Sequence, residues 1–159
     1  MTEAVVIRSY QAEEYDQVWA LHLEGMRDSR AQYPGVDNSG YEDDLRNIKR
    51  DYLCPGSNFW VAEAEEQLIG MVAAQRIDDR TGRPRRMRVT RDWRRKGVAT
   101  RLLNTVEEFC REQGYTRLIL DTTEQQTAAH RLYEGAEFVR VGDRMLGPFR
   151  VFDYEKSLL

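Results

Sequence analysis

Arg94-Arg95-Lys96-Gly97-Val98-Ala99 reads R-x-x-G-x-A, and a helical pattern begins directly behind it. Val98, Leu102, Val106, Phe109 and Cys110 recur at the spacing of one helix face, and Gly114 is placed to end the helix. Met87-Arg88-Val89 forms a strand that runs into the turn. The first amides of a helix have no partner within it and carry partial positive charge. A small residue lets an anion approach them closely. Three cations beside the turn strengthen the anion reading. Taken alone, such a segment is more often an ordinary strand-to-helix turn with a cluster of surface arginines.

The rest of the chain supplies a sheet around this unit. Val5-Val6-Ile7-Arg8 reads as an opening strand. Ala12 to about Arg27 reads as an amphipathic helix with Tyr15, Val18, Trp19, Leu21 and Met26. Pro34, Gly35, Asn38 and Gly40 mark a loop. A second helix is expected from Tyr41 to Leu53, ended by Cys54-Pro55-Gly56-Ser57. Phe59–Ala64 and Leu68 to about Ile77 read as strands, and Asp78-Asp79-Arg80-Thr81-Gly82 as a turn. Beyond Gly114, Tyr115–Asp121 is a strand, Gln126–Gly135 a short helix, and Phe138–Val141 and Arg150–Tyr154 the last strands. This order predicts a mixed α/β (α+β) domain over residues 1–159. Its central sheet is mostly antiparallel, with six to seven strands and about four flanking helices.

Composition narrows the class. The 159 residues are 41% hydrophobic and include three tryptophans, enough for a real core. No apolar run approaches the ~20 residues of a membrane span, and Met1-Thr2-Glu3-Ala4 lacks the layout of a signal peptide. Cys54 and Cys110 lack metal-ligand spacing and read as reduced thiols. A cytoplasmic location and no metal are expected. The net charge of -3 argues against nucleic acid as a partner of the whole surface, and no membrane partner is expected. The distribution is uneven, however. Between Arg76 and Arg101 there are eleven Arg or Lys against three Asp, about +8, while the remainder carries about -11. Coincidence of that window with the glycine turn favours a polyanionic ligand. No Walker Gly-Lys-Ser/Thr and no G-x-G-x-x-G is present, so nucleotide hydrolysis and hydride transfer lose ground.

A second motif follows at Ala129-His130-Arg131-Leu132-Tyr133-Glu134, ending in Phe138. Together, in this order, the two motifs make the chain resemble the GNAT superfamily of N-acetyltransferases. That family shows Q/R-x-x-G-x-G/A at the turn and A-x-x-L-Y-x-x-x-G-F further on. The resemblance is concentrated between Met87 and Phe138. It implies acetyl-coenzyme A as co-substrate, with the pyrophosphate cradled at Arg94, Arg95, Lys96, Gly97, Val98, Ala99 and Thr100. It also implies that Met87 and Val89 lie along the pantetheine arm and that Gln126 contacts the cofactor where many relatives carry Asn. Relatives often form homodimers.

The chemistry requires two proton transfers. An amine of pKa ~10.4 is protonated at neutral pH and must lose a proton before it attacks a thioester. The departing thiolate gains from a proton donor. Tyr133 matches the family's general-acid tyrosine. Many relatives place a Glu on the strand before the turn, but Arg83-Pro84-Arg85-Arg86-Met87-Arg88 contains no carboxylate. Asp121 is the substitute base at the end of the next strand, or else it caps a turn with Thr122 and Thr123. Water relayed from Glu63 or Asp79 is a further route. His22 and His130 sit in helical patterns that suit core or surface roles. A second departure is Glu137, where the family has Gly before Phe.

By the resemblance, the acceptor site spans roughly Trp19 to Tyr41 and Asp143 to Arg150. Tyr33, Pro34, Tyr41 and Phe149 suggest an apolar wall, and Arg27, Arg30 and Arg144 could hold a carboxylate. A small-molecule primary amine is the leading acceptor, with a peptide or protein amine as the alternative. A non-catalytic acyl-coenzyme A binding module would keep the turn without the catalytic pair, and a structural α/β module would leave the turn without a ligand.

Overall fold

Seven strands form one sheet in the order β1-β2-β3-β4-β5-β7-β6. The computed structural model describes residues 4–28 and 42–159. The strands are β1 Val6–Ser9, β2 Asn58–Ala64, β3 Gln67–Asp78, β4 Thr81–Val89, β5 Arg117–Thr123, β6 Val139–Leu146 and β7 Phe149–Ser157. The helices are α1 Tyr15–Asp28, α2 Asp43–Arg46, α3 Ile48–Asp51, α4 Val98–Glu112 and α5 Thr127–Gly135. All strand pairs are antiparallel except β4 with β5. The mixed, mostly antiparallel sheet predicted from the sequence is therefore the one observed.

Alternation along the central strands sends side chains to two cores. Trp60, Ala62, Val72 and Ala74 meet α4 through Val98, Leu102, Leu103, Val106 and Cys110 on one face. Phe59, Val61, Met71 and Ala73 meet Val18, Leu21, Leu45, Ile48 and Tyr52 on the other. Each fully buried Leu or Val in these layers contributes roughly 1.5–3 kcal/mol relative to exposure. Glu107 of α4 is buried and receives the Lys156 ammonium at 2.8 Å, with Arg111 one turn away at 3.5 Å.

Two expected boundaries change. The helix expected over residues 41–53 is two short pieces, because Asn47 (φ −130°, ψ 49°) breaks the ladder; Tyr41 lies outside the described residues. The turn expected at Asp78–Gly82 is shorter, and β4 already begins at Thr81. Gly82 belongs in that strand because Cys110 and Tyr115 pack over it. A Cβ there would lie 2.7 Å from the Cys110 sulfur.

What positions the site is the partnership of β4 and β5. They pair only at Thr81 with Arg117 and Gly82 with Leu118. Beyond Gly82 the two parallel strands diverge, and the β5-facing edge of β4 from Arg83 to Val89 has no strand partner. A bulge bends β4 within this stretch. Met71 and Ala73 of β3 face Arg88 and Arg85, so β4 carries one extra residue, and Arg86 adopts φ 57°.

Candidate active site

The divergence opens a cleft of about 920 Å³, floored by β4 and walled by α4, α5 and the end of β5. The turn before α4 is built by backbone conformation. Arg95 (φ 62°) and Gly97 (φ 82°) are both left-handed, and Gly97 is the residue just before the helix. The first helical bond runs from the Arg101 N–H to the Gly97 carbonyl at 3.1 Å. The amides of Val98, Ala99 and Thr100 therefore precede the ladder, and these residues line the cleft. This is an anion cradle with the helix dipole behind it. Arg94 and Arg95 also line it, and the Arg94 Nε donates to the Val89 carbonyl at 3.0 Å. Lys96 is not among the lining residues; its ammonium lies 4.9 Å over the Trp93 ring.

Tyr133, on α5, faces the cleft across from β4. Its ring packs edge-on against Phe138, centroids 5.7 Å apart. Burial pushes its hydroxyl up to about 12, with Arg88 opposing and Asp121 assisting. The phenol therefore stays protonated at neutral pH. Glu137, where the family has Gly, adopts φ 72°, so the turn into Phe138 keeps a left-handed backbone despite the side chain.

Asp121 is the one carboxylate among the described residues that line the cleft. Both its oxygens accept hydrogen bonds, from Arg83 at 3.2 and 3.3 Å and from Arg144 at 2.8 Å. Arg144 also holds Asp153 at 3.1 Å. Arg144 is thus already neutralised, which weakens its expected use as a carboxylate holder. Gln126 lines the cleft, and its side-chain oxygen accepts the Thr123 N–H at 3.3 Å. Met87 and Val89 lie on the exposed edge of β4 and line the floor.

The other expected participants fall elsewhere. Glu63 pairs with Arg8 at 3.1 Å, Asp79 pairs with Arg76, and neither lines the cleft. His130 Nε2 is 2.9 Å from the Thr123 carbonyl, to which it donates. His22 is buried and 3.2 Å from Glu42. Burial, then the positive field of Arg88 and Arg86, depresses it to about 4. Arg27 is exposed and off the cleft. Arg30, Tyr33, Pro34 and Tyr41 lie outside the described residues.

Sequence reasoning missed the arginines of the floor. Arg86 reaches across to α2 and donates to Asp44 at 2.9 and 2.5 Å. Asp44 also receives the Tyr52 hydroxyl and lies 3.7 Å from Arg85. The guanidinium of Arg86 and the Tyr52 hydroxyl outweigh burial and hold the Asp44 carboxyl at about 2. The alternation of Arg86 and Arg88 with Met87 and Val89 was the available signal.

Comparison with known proteins identifies the family. The family model for the acetyltransferase (GNAT) family matches residues 23–138. The chain belongs to the GNAT acetyltransferase family. Human N-acetyltransferase 8 is 43% identical over 105 residues, covering 62% of this chain and 46% of that protein. Zebrafish N-acetylaspartate synthetase is 45% identical over 102 residues, covering 63% and 36%. The chain thus spans about half, or less, of the length of these relatives. A GNAT-family acetyltransferase from Staphylococcus aureus superposes with a TM-score of 0.86 at 22% identity, covering 98% of this chain and all of that one. This GNAT chain therefore has the family fold, with the β4–β5 cleft at its centre. Among the described residues no helix is long and apolar enough to cross a membrane.

Proposed function

We propose that this GNAT chain transfers the acetyl group of acetyl-coenzyme A to a primary amine of a small molecule that bears a carboxylate. The observation that carries the reading is the cleft itself. Unladdered amides at Val98–Thr100, the exposed edge of β4 and the protonated Tyr133 all line one space. Acetyl-coenzyme A, when bound, supplies the thioester. The amides at the turn and the Arg94 and Arg95 side chains suit its pyrophosphate, and Met87, Val89 and Gln126 suit the arm. The relative named as an N-acetylaspartate synthetase supports an acceptor with a carboxylate. The free thiols Cys54 and Cys110 suit a reducing, cytoplasmic setting.

In the proposed step, the amine nitrogen bonds to the acetyl carbon and the carbon–sulfur bond breaks. Tyr133 gives its proton to the thiolate. Asp121 takes the amine proton, through water, as the carboxylate of the cleft wall. Since its oxygens already accept from two arginines, its share is expected to be the smaller one.

Thiol release with an amine panel tests the proposal. Tyr133→Phe is expected to lower kcat by ~10²–10⁴-fold while coenzyme A affinity is kept. An unchanged kcat removes Tyr133 from the chemistry. Tight coenzyme A binding without turnover of any amine would favour a binding module.

A further inference from the structure

Four arginines line the floor of the cleft, and three have acidic or phenolic partners. Arg83 is held by Asp121, Arg86 by Asp44, and Arg85 lies near Asp44 and donates to the Tyr52 hydroxyl at 3.3 Å. Arg88 differs. Its Nε is buried with no hydrogen-bond partner, and its terminal nitrogen reaches the Met26 sulfur at 3.8 Å, a weak acceptor. Among the described residues it has no carboxylate.

The fold makes room for this side chain. Met87 and Val89 pack toward the core under α4. Arg88, opposite Met71, projects to the other face, beneath α1. Gly25 stands in the last turn of α1, where Arg88 crosses. A Cβ there would lie 2.4 Å from the Arg88 Cδ and 2.6 Å from its Nε. Any side chain at this position of α1 would collide with the arm of the guanidinium. Gly25, Arg88 and Tyr133 all line the cleft. Burial, with the like charges of Arg86 and Arg94, pulls Arg88 down to about 10, while the Tyr133 oxygen opposes this. It remains charged at neutral pH. A buried charge without a partner is costly, and a planar fork with free donors fits a carboxylate by paired hydrogen bonds.

We propose that Arg88 anchors the carboxylate of the acceptor, and that the acceptor is an amino acid or a conjugate that keeps a free carboxylate close to its amino group. This rests on the acetyl-transfer reading. The carboxylate enters from the α1 face and pairs with Arg88, and the adjacent amine is then presented toward Tyr133. The specificity residue is thus on the strand floor.

The test uses the full chain saturated with coenzyme A, with the twenty L-amino acids and their α-carboxamides as probes. Nitrogen-edited NMR follows the arginine Nε–H resonances, with Arg88→Lys assigning the Arg88 signal. In parallel, thiol release from acetyl-coenzyme A gives kcat/KM for each acid and its amide. Amino acids are expected to move the Arg88 resonance and their amides are not. The acid-to-amide ratio of kcat/KM is expected to fall about 10²-fold in both Arg88→Met and Arg88→Lys. The ratio cancels the lower basicity of the amides' amino groups, and coenzyme A affinity in each variant reports that the cleft is folded. An unchanged ratio in both variants, or no amino acid that moves the resonance, overturns the proposal. Failure of the acetyl-transfer reading looks different: the acids still move Arg88, yet no acceptor releases thiol.

Discussion

The turn at Arg94–Thr100 and the strand at Arg83–Arg88 lie close in sequence and are both basic, yet they are built in opposite ways. The turn makes its site from its own backbone: two left-handed residues and the first amides of α4. Its side chains are largely accessory, and Lys96 turns away onto Trp93. The strand makes its site from side chains fetched over long distances. Arg86 is fixed by Asp44, 42 residues earlier, and Arg88 passes Gly25 of α1. A site made from local backbone can be read from a short motif, whereas a site made from distant partners cannot. In the proposed function the turn serves the donor and the arginine-lined strand serves the acceptor.

The comparison can be broken first at Asp44. Asp44→Asn strands the buried Arg86 charge, and removal of one member of such a pair costs roughly 3–5 kcal/mol. Urea denaturation should show that loss.

Next in size is the pH response of the acceptor half. His22 is depressed to about 4 in the folded chain, beside Arg88, Arg86, Asp44 and Glu42. The unfolded chain takes up that proton near pH 6.5 and the folded chain refuses it until about 4. Stability should therefore be complete above pH 6.5 and decline by up to about 3 kcal/mol as pH falls through this window. His22→Gln should flatten the slope, measured as the urea midpoint against pH.

Gly97→Val acts on the donor half alone. No atom lies within 4 Å of a Cβ there, so the penalty is the positive φ itself. That is roughly 1–2 kcal/mol, expected as about a 10-fold loss of coenzyme A affinity by calorimetry. The smallest effect is at the other motif. Glu137→Gly relieves a left-handed φ of 72° and should raise the thermal midpoint slightly, by about 1 kcal/mol of stability at most.

Legibility in the sequence followed the same division. The spacing of Val98, Leu102 and Val106 placed α4 at its observed limits, because a helix face is a local pattern. The order of strands gave the sheet. The start of β4 was hidden, since Thr81 and Gly82 read as turn residues. Gly82 is there for packing under Cys110. Pro84 is tolerated in a strand that beyond Gly82 is paired on one side only. The burial of Glu107 was not legible, because its partner Lys156 is 49 residues away. The ring of charges around Asp121 and Asp44 was likewise out of reach, because ion pairs between strands and helices leave no periodicity behind.

The central claim is that the turn binds coenzyme A through its backbone, independently of the cation pairs beneath α1 and α2. Calorimetric titration of coenzyme A at low salt into wild type, Gly97→Val and Asp44→Asn tests it directly. Binding by wild type is predicted, about 10-fold weaker in Gly97→Val and retained by folded Asp44→Asn. No binding to wild type, or a loss in Asp44→Asn as large as that in Gly97→Val, would contradict it.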